Sequence, residues 1–149
     1  MRILLDTNLL VRAAISPRGS AREILRCIEA NENHALVVFG YLFSELVDVL
    51  RRDRLRARFP LTDDDIRSYC EHLAAVGDEV SPKALGSVIG DPKDQAIMDA
   101  AVAGKVDVLC TSDHHFFTDA VIAFCAGYGI RIMNDIDLLR LLKREHHLR

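Results

Sequence analysis

Met1-Arg2-Ile3-Leu4-Leu5-Asp6-Thr7-Asn8 opens the chain, and its reading decides the fold. Three large aliphatic residues stand in an unbroken row and end on an acid. Strands with one wet face alternate apolar and polar residues, whereas strands covered on both faces read as continuous apolar runs. The run is short and has no small-residue cleavage site, so it is not expected to be a signal peptide. It is expected to be a buried first strand. An acid directly after it then stands at the strand's carboxyl end, where open α/β sheets bind their ligands.

The rest of the sequence repeats this scheme of short apolar strand followed by helix. A helix over 7–15 is expected, then a loop at Ser16-Pro17-Arg18-Gly19. Residues 20–33 read as a helix with Ser20 as N-cap and Glu23 three positions on, the pattern of a capping box. Residues 35–39 form the second strand and 40–55 the next helix. Thr62 caps a helix running to about 76, and its Asp63-Asp64-Asp65 start suits the positive end of a helix dipole. A short strand is expected at 79–81 and a loop at 82–90, the segment with the most conformational freedom. Asp91 and Pro92 open a helix to about 105, as N-cap and first helical residue. The runs 106–111 and 130–133 are the remaining strands, and Asn134 caps a last helix carrying Leu138, Leu139, Leu141 and Leu142. Strands alternating with helices imply an α/β fold with a parallel sheet covered on both faces.

Composition limits the function classes. A chain of 149 residues is expected to form one domain, 1–149. It is long enough to bury roughly 70% of its unfolded surface. Half the residues are hydrophobic, which excludes disorder. No apolar run approaches the ~18 residues of a membrane-spanning helix. The four cysteines, Cys27, Cys70, Cys110 and Cys125, are widely spaced and form no zinc motif. Reduced thiols in a cytoplasmic protein are expected. A net charge of −3 excludes a protein that grips nucleic acid by bulk positive charge. It is compatible with a carboxylate site that recruits a cation.

Four acids stand where such a site can form. Asp6 follows the first strand, and Asp113 lies two residues past the strand ending near Thr111. Each has a plain alternative as a turn or N-cap acid. Glu45 lies at the edge of an apolar helical stripe of Leu42, Leu46 and Val49, where a carboxylate is costly unless paired or bound to a metal. Its alternative is a solvated flank residue paired with an arginine. Asp94 is near the start of its helix, where complementing the dipole would explain it as well. Asp91 is read as a structural cap. Asp99, five residues past Asp94, is turned about 140° round the helix and faces elsewhere.

With these residues in view, the sequence resembles the PIN-domain nucleases, in particular the VapC-like group that acts as toxins of toxin–antitoxin pairs. Leu5-Asp6-Thr7-Asn8 resembles the family's first motif and Ser16-Pro17-Arg18-Gly19-Ser20 the loop after it. Ser44-Glu45-Leu46, Asp91-Pro92-Lys93-Asp94 and Thr111-Ser112-Asp113 match the second, third and fourth acidic motifs in order. The resemblance runs from Met1 to about Leu142. It implies a three-layer α/β/α sandwich whose sheet of about five strands has the order 3-2-1-4-5, so that the strands bearing Asp6 and Asp113 are neighbours.

The resemblance further implies a divalent-metal-dependent endoribonuclease. Asp6, Glu45, Asp94 and Asp113 would be the catalytic, metal-binding acids, holding one or two Mg2+ or Mn2+ ions. Thr7, Asn8 and Ser112 would orient the ligands, and Arg12 and Arg18 would meet substrate phosphates. Arg51, Arg52, Arg54, Arg56 and Arg58 would also reach phosphates, or else form a solvated helix end or an antitoxin-facing surface, the reading favoured for at least three of them. The partners expected are an RNA substrate, a cognate antitoxin protein and a second copy of the chain as a homodimer, with no membrane. Two departures stand out: Gln95 follows Asp94 where Asn or Asp is common, and His114-His115 follow Asp113 where relatives carry Lys-Asp. Without that extra acid a second metal would be held weakly, with His114 or His115 either assisting or serving as loop residues.

Three alternatives remain at this stage. A housekeeping RNA-processing nuclease would carry the same acids. A phosphoryl-transfer domain would also place Asp at strand ends, but the phosphatase type expects Asp-x-Asp where this chain has Asp6-Thr7-Asn8. A binding module that had lost catalysis would be expected to lack one of the motif acids, and all four are present.

Overall fold

The opening aliphatic run is β1 (Arg2–Leu5), with Ile3, Leu4 and Leu5 buried. A computed structural model of the chain, which describes residues 1–86 and 88–147, places this strand at the centre of a five-stranded parallel sheet. β2 (Ala35–Val38) pairs with β1 on one side and β4 (Val108–Cys110) on the other. The short strands β3 (Asp78–Glu79) and β5 (Arg131–Met133) form the edges, giving the order β3-β2-β1-β4-β5. This is the expected 3-2-1-4-5 arrangement. The three inner strands are buried, whereas the edges carry Asp78, Glu79 and Arg131 in the open, which discourages further strand pairing.

Helices cover both faces. Val37 and Val38 of β2 point to opposite sides of the sheet. α6 (Pro92–Ala103) ends on Gly104, where a Cβ would lie 2.7 Å from Val37 Cγ1. α5 (Asp63–Val76) ends on Gly77, where a Cβ would lie 2.9 Å from Val38 Cγ2. Only glycine allows both helix ends to press this closely on opposite faces of one strand. α1 (Thr7–Ile15) packs against α2 (Ser20–Glu29) and α3 (Gly40–Leu50), α2 against α8 (Asp135–His147), and α3 against α5. Two short helices, α4 (Asp53–Arg58) and α7 (Asp119–Ala126), complete the set.

Several boundaries differ from the sequence expectations for physical reasons. The helix expected to begin with a capping box at Ser20 has Gly19 as N-cap and no side-chain cap, because the Ser20 hydroxyl is drawn away to Asp135. A capping box does form at Thr62, with Asp65 as its reciprocal partner. α2 stops at Glu29 rather than 33, and an Asn31 side chain accepts from the Asn33 amide to hold the turn. The helix expected over 40–55 breaks after Leu50, where Arg52 turns extended, and resumes as α4. β3 lies at 78–79 rather than 79–81, and β4 is shorter than 106–111. The stretch between β4 and β5, left without helix by the sequence reading, holds a 3-10 turn (His114–Phe117) and α7, which bury Phe116, Val121 and Cys125.

All four cysteines are free, two of them buried. Among the described residues no helix is long and apolar enough to cross a membrane.

A buried carboxylate ties three helices together behind β1. Asp135, at the start of α8, accepts a hydrogen bond from Arg12 of α1 at 2.8 Å and another from the Ser20 hydroxyl of α2. Burial pushes its carboxyl up, yet these donors hold it below the usual carboxylate range. Asp135→Ala leaves Arg12 and Ser20 without their shared acceptor, so it should cost ~2 kcal/mol and lower Tm by roughly 4–8 °C in thermal denaturation. An unchanged Tm would show that the cluster does not join the helices.

Candidate functional site

The parallel ladder carries on for one residue beyond the strands, and this extension positions the site. The Asp6 amide donates to the Cys110 carbonyl at 3.1 Å, and the Thr111 amide to the Met133 carbonyl at 3.0 Å. Asp6 is 4% exposed and Thr111 fully buried. Asp6 Oδ1 accepts from the Leu9 amide at 3.0 Å, capping α1, and Oδ2 accepts from the Thr111 hydroxyl. The same hydroxyl oxygen accepts from the Asp113 amide at 3.0 Å. Asp113 Oδ1 in turn accepts from the His115 amide at 2.9 Å and caps the 3-10 turn. Capping and strand-end placement were competing readings of Asp6 and Asp113, and both hold. Each acid uses one oxygen as a cap and still faces the crevice.

The other two acids arrive from helices. Asp94 lies in the first turn of α6 and is half-buried. Desolvation, then the carboxylates of Asp113, Asp91 and Asp6, push its pKa up to about 6, against a smaller opposing effect of His115. Burial likewise raises the Asp6 carboxyl, partly offset by the bonds from Thr111 and Leu9. Glu45 of α3 pairs with Lys93 Nζ at 3.2 Å and is approached by the hydroxyls of Tyr41 at 3.4 Å and Thr7 at 3.5 Å. Its partner is therefore a lysine from the start of α6, not the arginine of the sequence expectation.

One cavity of about 250 Å3 collects these groups. Asp6, Thr7, Asn8, Glu45, Asp91, Asp94 and Asp113 line it, with Val49, Ile97, Arg52 and Lys93. Five carboxylates thus face two cations there. Oxygen donors in excess negative charge suit a hard divalent cation such as Mg2+ or Mn2+, and the upward shift at Asp94, due first to desolvation, includes a contribution from neighbouring carboxylates that such a cation would relieve.

Other residues picked out in the sequence lie elsewhere. Arg12 is committed to Asp135, and neither Arg12, Arg18 nor the exposed Ser112 is among the residues lining the cavity. Arg51 and Arg56 pair with Asp63, Arg58 lies over the Phe59 ring, and of the five arginines only Arg52 lines the cavity. His114 and His115 are exposed, and their ring nitrogens lie with Asp113 in a group whose donor atoms are within 4.8 Å of one another. Asp99 turns away, accepting from Gln95 Nε2 at 2.9 Å and from the Leu85 amide at 3.3 Å. Gln95 Oε1 accepts from the Val88 and Ile89 amides, so the residue after Asp94 pins the 82–90 loop rather than lining the cavity.

Sequence reasoning gave Thr111 and Lys93 no role of their own, took Arg52 only as one of five arginines that could reach phosphates, and took Gln95 only as a departure from the family motif. Thr111 had a usable signal: a hydroxyl at the end of a buried strand must find a partner. The others had none, since a cation within a motif or an arginine within a basic run does not announce which way it points.

Comparison with known proteins bears on the family and the fold. A PIN domain profile matches residues 2–115. No curated protein matches the sequence at a significant level. Among solved structures, a chain of the crystal structure of VapBC2 from Rickettsia felis bound to a DNA fragment from their promoter superposes with a TM-score of 0.61 at 16% identity, covering 90% of this chain and 98% of that one. That likeness extends the shared fold over nearly the whole sequence. With that profile spanning most of the chain, the chain belongs to the PIN domain family, whose members are generally nucleases.

Proposed function

We propose that this protein is a divalent-metal-dependent endoribonuclease that hydrolyses RNA phosphodiester bonds in the cytoplasm and serves as the toxin of a toxin–antitoxin pair. The observation carrying the reading is the convergence of Asp6, Glu45, Asp94 and Asp113, from four separate elements, on one acidic cavity at the strand ends. The likeness to a chain of the VapBC2 complex supports an antitoxin partner, and a homodimer is proposed on the family resemblance alone.

In this reading the four acids hold one Mg2+ or Mn2+ firmly and a second weakly. When bound, the ion lowers the pKa of a water and neutralises charge on the scissile phosphate. The chain's own residues supply the rigidity. The Leu9 amide and Thr111 hydroxyl fix both oxygens of Asp6, and the His115 amide fixes one oxygen of Asp113. Thr7 and Asn8, at the cavity wall, and Ser112, beside Asp113, orient the ligands. Arg12 and Arg18 remain proposed outlying phosphate contacts, less directly placed than the cations within the cavity.

Asp6→Asn keeps the cap to Leu9 and removes the buried charge, so the fold should survive. Mn2+-dependent cleavage of RNA should fall by at least ~100-fold, since a lost ligand should cost no less than a lost supporting group. Wild-type expression should arrest growth of the host while Asp6→Asn does not. A folded Asp6→Asn protein that cleaves RNA as well as wild type would overturn the assignment.

Charge repulsion in the metal-free cavity gives a second check. The folded pKa of Asp94, about 6, exceeds the unfolded value of about 4, so the native state holds that proton more tightly. Its contribution to stability is full at low pH and is lost as pH rises through about 6. The facing groups are Asp113, Asp91, Asp6 and His115. Asp94→Asn should therefore raise the metal-free Tm at pH 7 by roughly 2–4 °C, ~1 kcal/mol once screening at a half-exposed site is allowed for. The gain should vanish near pH 4, and Mn2+ should stabilise wild type more than the variant. Equal Tm values at pH 7 in chelator would show that the carboxylates do not strain the cavity.

A further inference from the structure

Among the described residues, the one lysine or arginine paired with a cavity acid is Lys93. Its Nζ lies 3.2 Å from Glu45 Oε1, and the two side chains differ sharply in burial, Glu45 being 17% exposed and Lys93 58%. Glu45 is held on the cavity wall, whereas the lysine stem projects from the surface and is free to swing. Arg52 lines the same wall without an ion pair among the described residues. Two positive charges thus stand at a cavity whose other charged groups are all carboxylates.

On the reading of this cavity as a metal site, we propose that Lys93 is a tethered counter-ion that a divalent cation displaces from Glu45, and that the released ammonium then binds a backbone phosphate of RNA. Before the metal enters, Lys93 offsets the charge of Glu45 and is spent on it. Once a divalent ion sits on the acids, the ammonium is repelled from Glu45 and the nearest negative charge it can meet is the substrate. Metal and RNA binding are then coupled through one side chain. By linkage, each must strengthen the other by the same factor.

The test uses the full-length protein, Mn2+ followed by paramagnetic resonance, and a short phosphorothioate-linked RNA of mixed sequence that resists cleavage. Lys93→Met removes the charge and keeps the stem, on an exposed helical position where the fold should persist. Without RNA it should bind Mn2+ ~3-fold more tightly than wild type, the scale of an exposed ion pair. With Mn2+ present it should bind the RNA ~3–10-fold more weakly, and in chelator as well as wild type does. Lys93→Arg should restore both. Arg52→Met is the control for simple loss of charge, and should weaken RNA binding equally with and without Mn2+. Lys93→Met with unchanged or weaker Mn2+ affinity, or with an RNA defect as large in chelator as in Mn2+, would overturn the role of Lys93 while leaving the metal site standing. Wild-type protein that fails to bind Mn2+ would overturn the metal site itself, and the coupling with it.

Discussion

Everything at the crevice hangs on one buried hydroxyl. Thr111 Oγ1 donates to Asp6 Oδ2 and accepts from the Asp113 amide, so a single atom at the end of β4 sets the spacing of two acids from adjacent strands. This works only because β1 and β4 are neighbours in register, Leu5 opposite Cys110, so that the following residues face each other. The register is itself enforced by burial. With Ile3, Leu4, Leu5, Val108, Leu109 and Cys110 all enclosed, a slip of one residue would swap the faces to which these close-packed side chains point and draw Asp6 away from Thr111. The apolar runs that make the core therefore also place the carboxylates.

Charge supplies the second constraint. A buried Asp6 facing Asp113 and Asp94 is unfavourable in isolation, and the cavity answers with Lys93 and Arg52 at its lip and donors beneath Asp6. The arrangement is rigid where ligands are fixed and loose where charge is exchanged. Asp6 and Asp113 are both tied to backbone amides, whereas Lys93 is more than half exposed and held at its tip by Glu45. A nuclease needs both properties. Preorganised oxygens hold a cation in place, and movable cations receive a substrate that is itself charged.

Much of this was legible in the sequence. Continuous aliphatic runs mark strands covered on both faces, and the acids after them mark the crevice. Asp91-Pro92 and Thr62 fixed two helix starts because their side chains have no better partner than the local backbone. Ser20 misled for the opposite reason: a buried carboxylate 115 positions away outcompeted its own helix. The break after Leu50 carries neither glycine nor proline, and α7 lies in a stretch whose apolar residues show no clean helical stripe, so neither could be read locally. At the site, Asp6 and Asp113 were marked by their strand-end positions, Glu45 by its place beside an apolar stripe, and Asp94 chiefly by the family motif. The groups that orient or neutralise them were not, because Thr111, Lys93 and Arg52 acquire meaning only when strands and helices meet.

The most direct measurement is the anomalous-scattering map of crystals soaked in Mn2+. The expected result is a peak inside the cavity, within ligand distance of carboxylate oxygens from Asp6 and at least one of Asp94 and Asp113. Scattering confined to the exposed Asp113, His114 and His115 group, or no peak at all beside Asp6, would contradict a catalytic metal held by the strand-end acids.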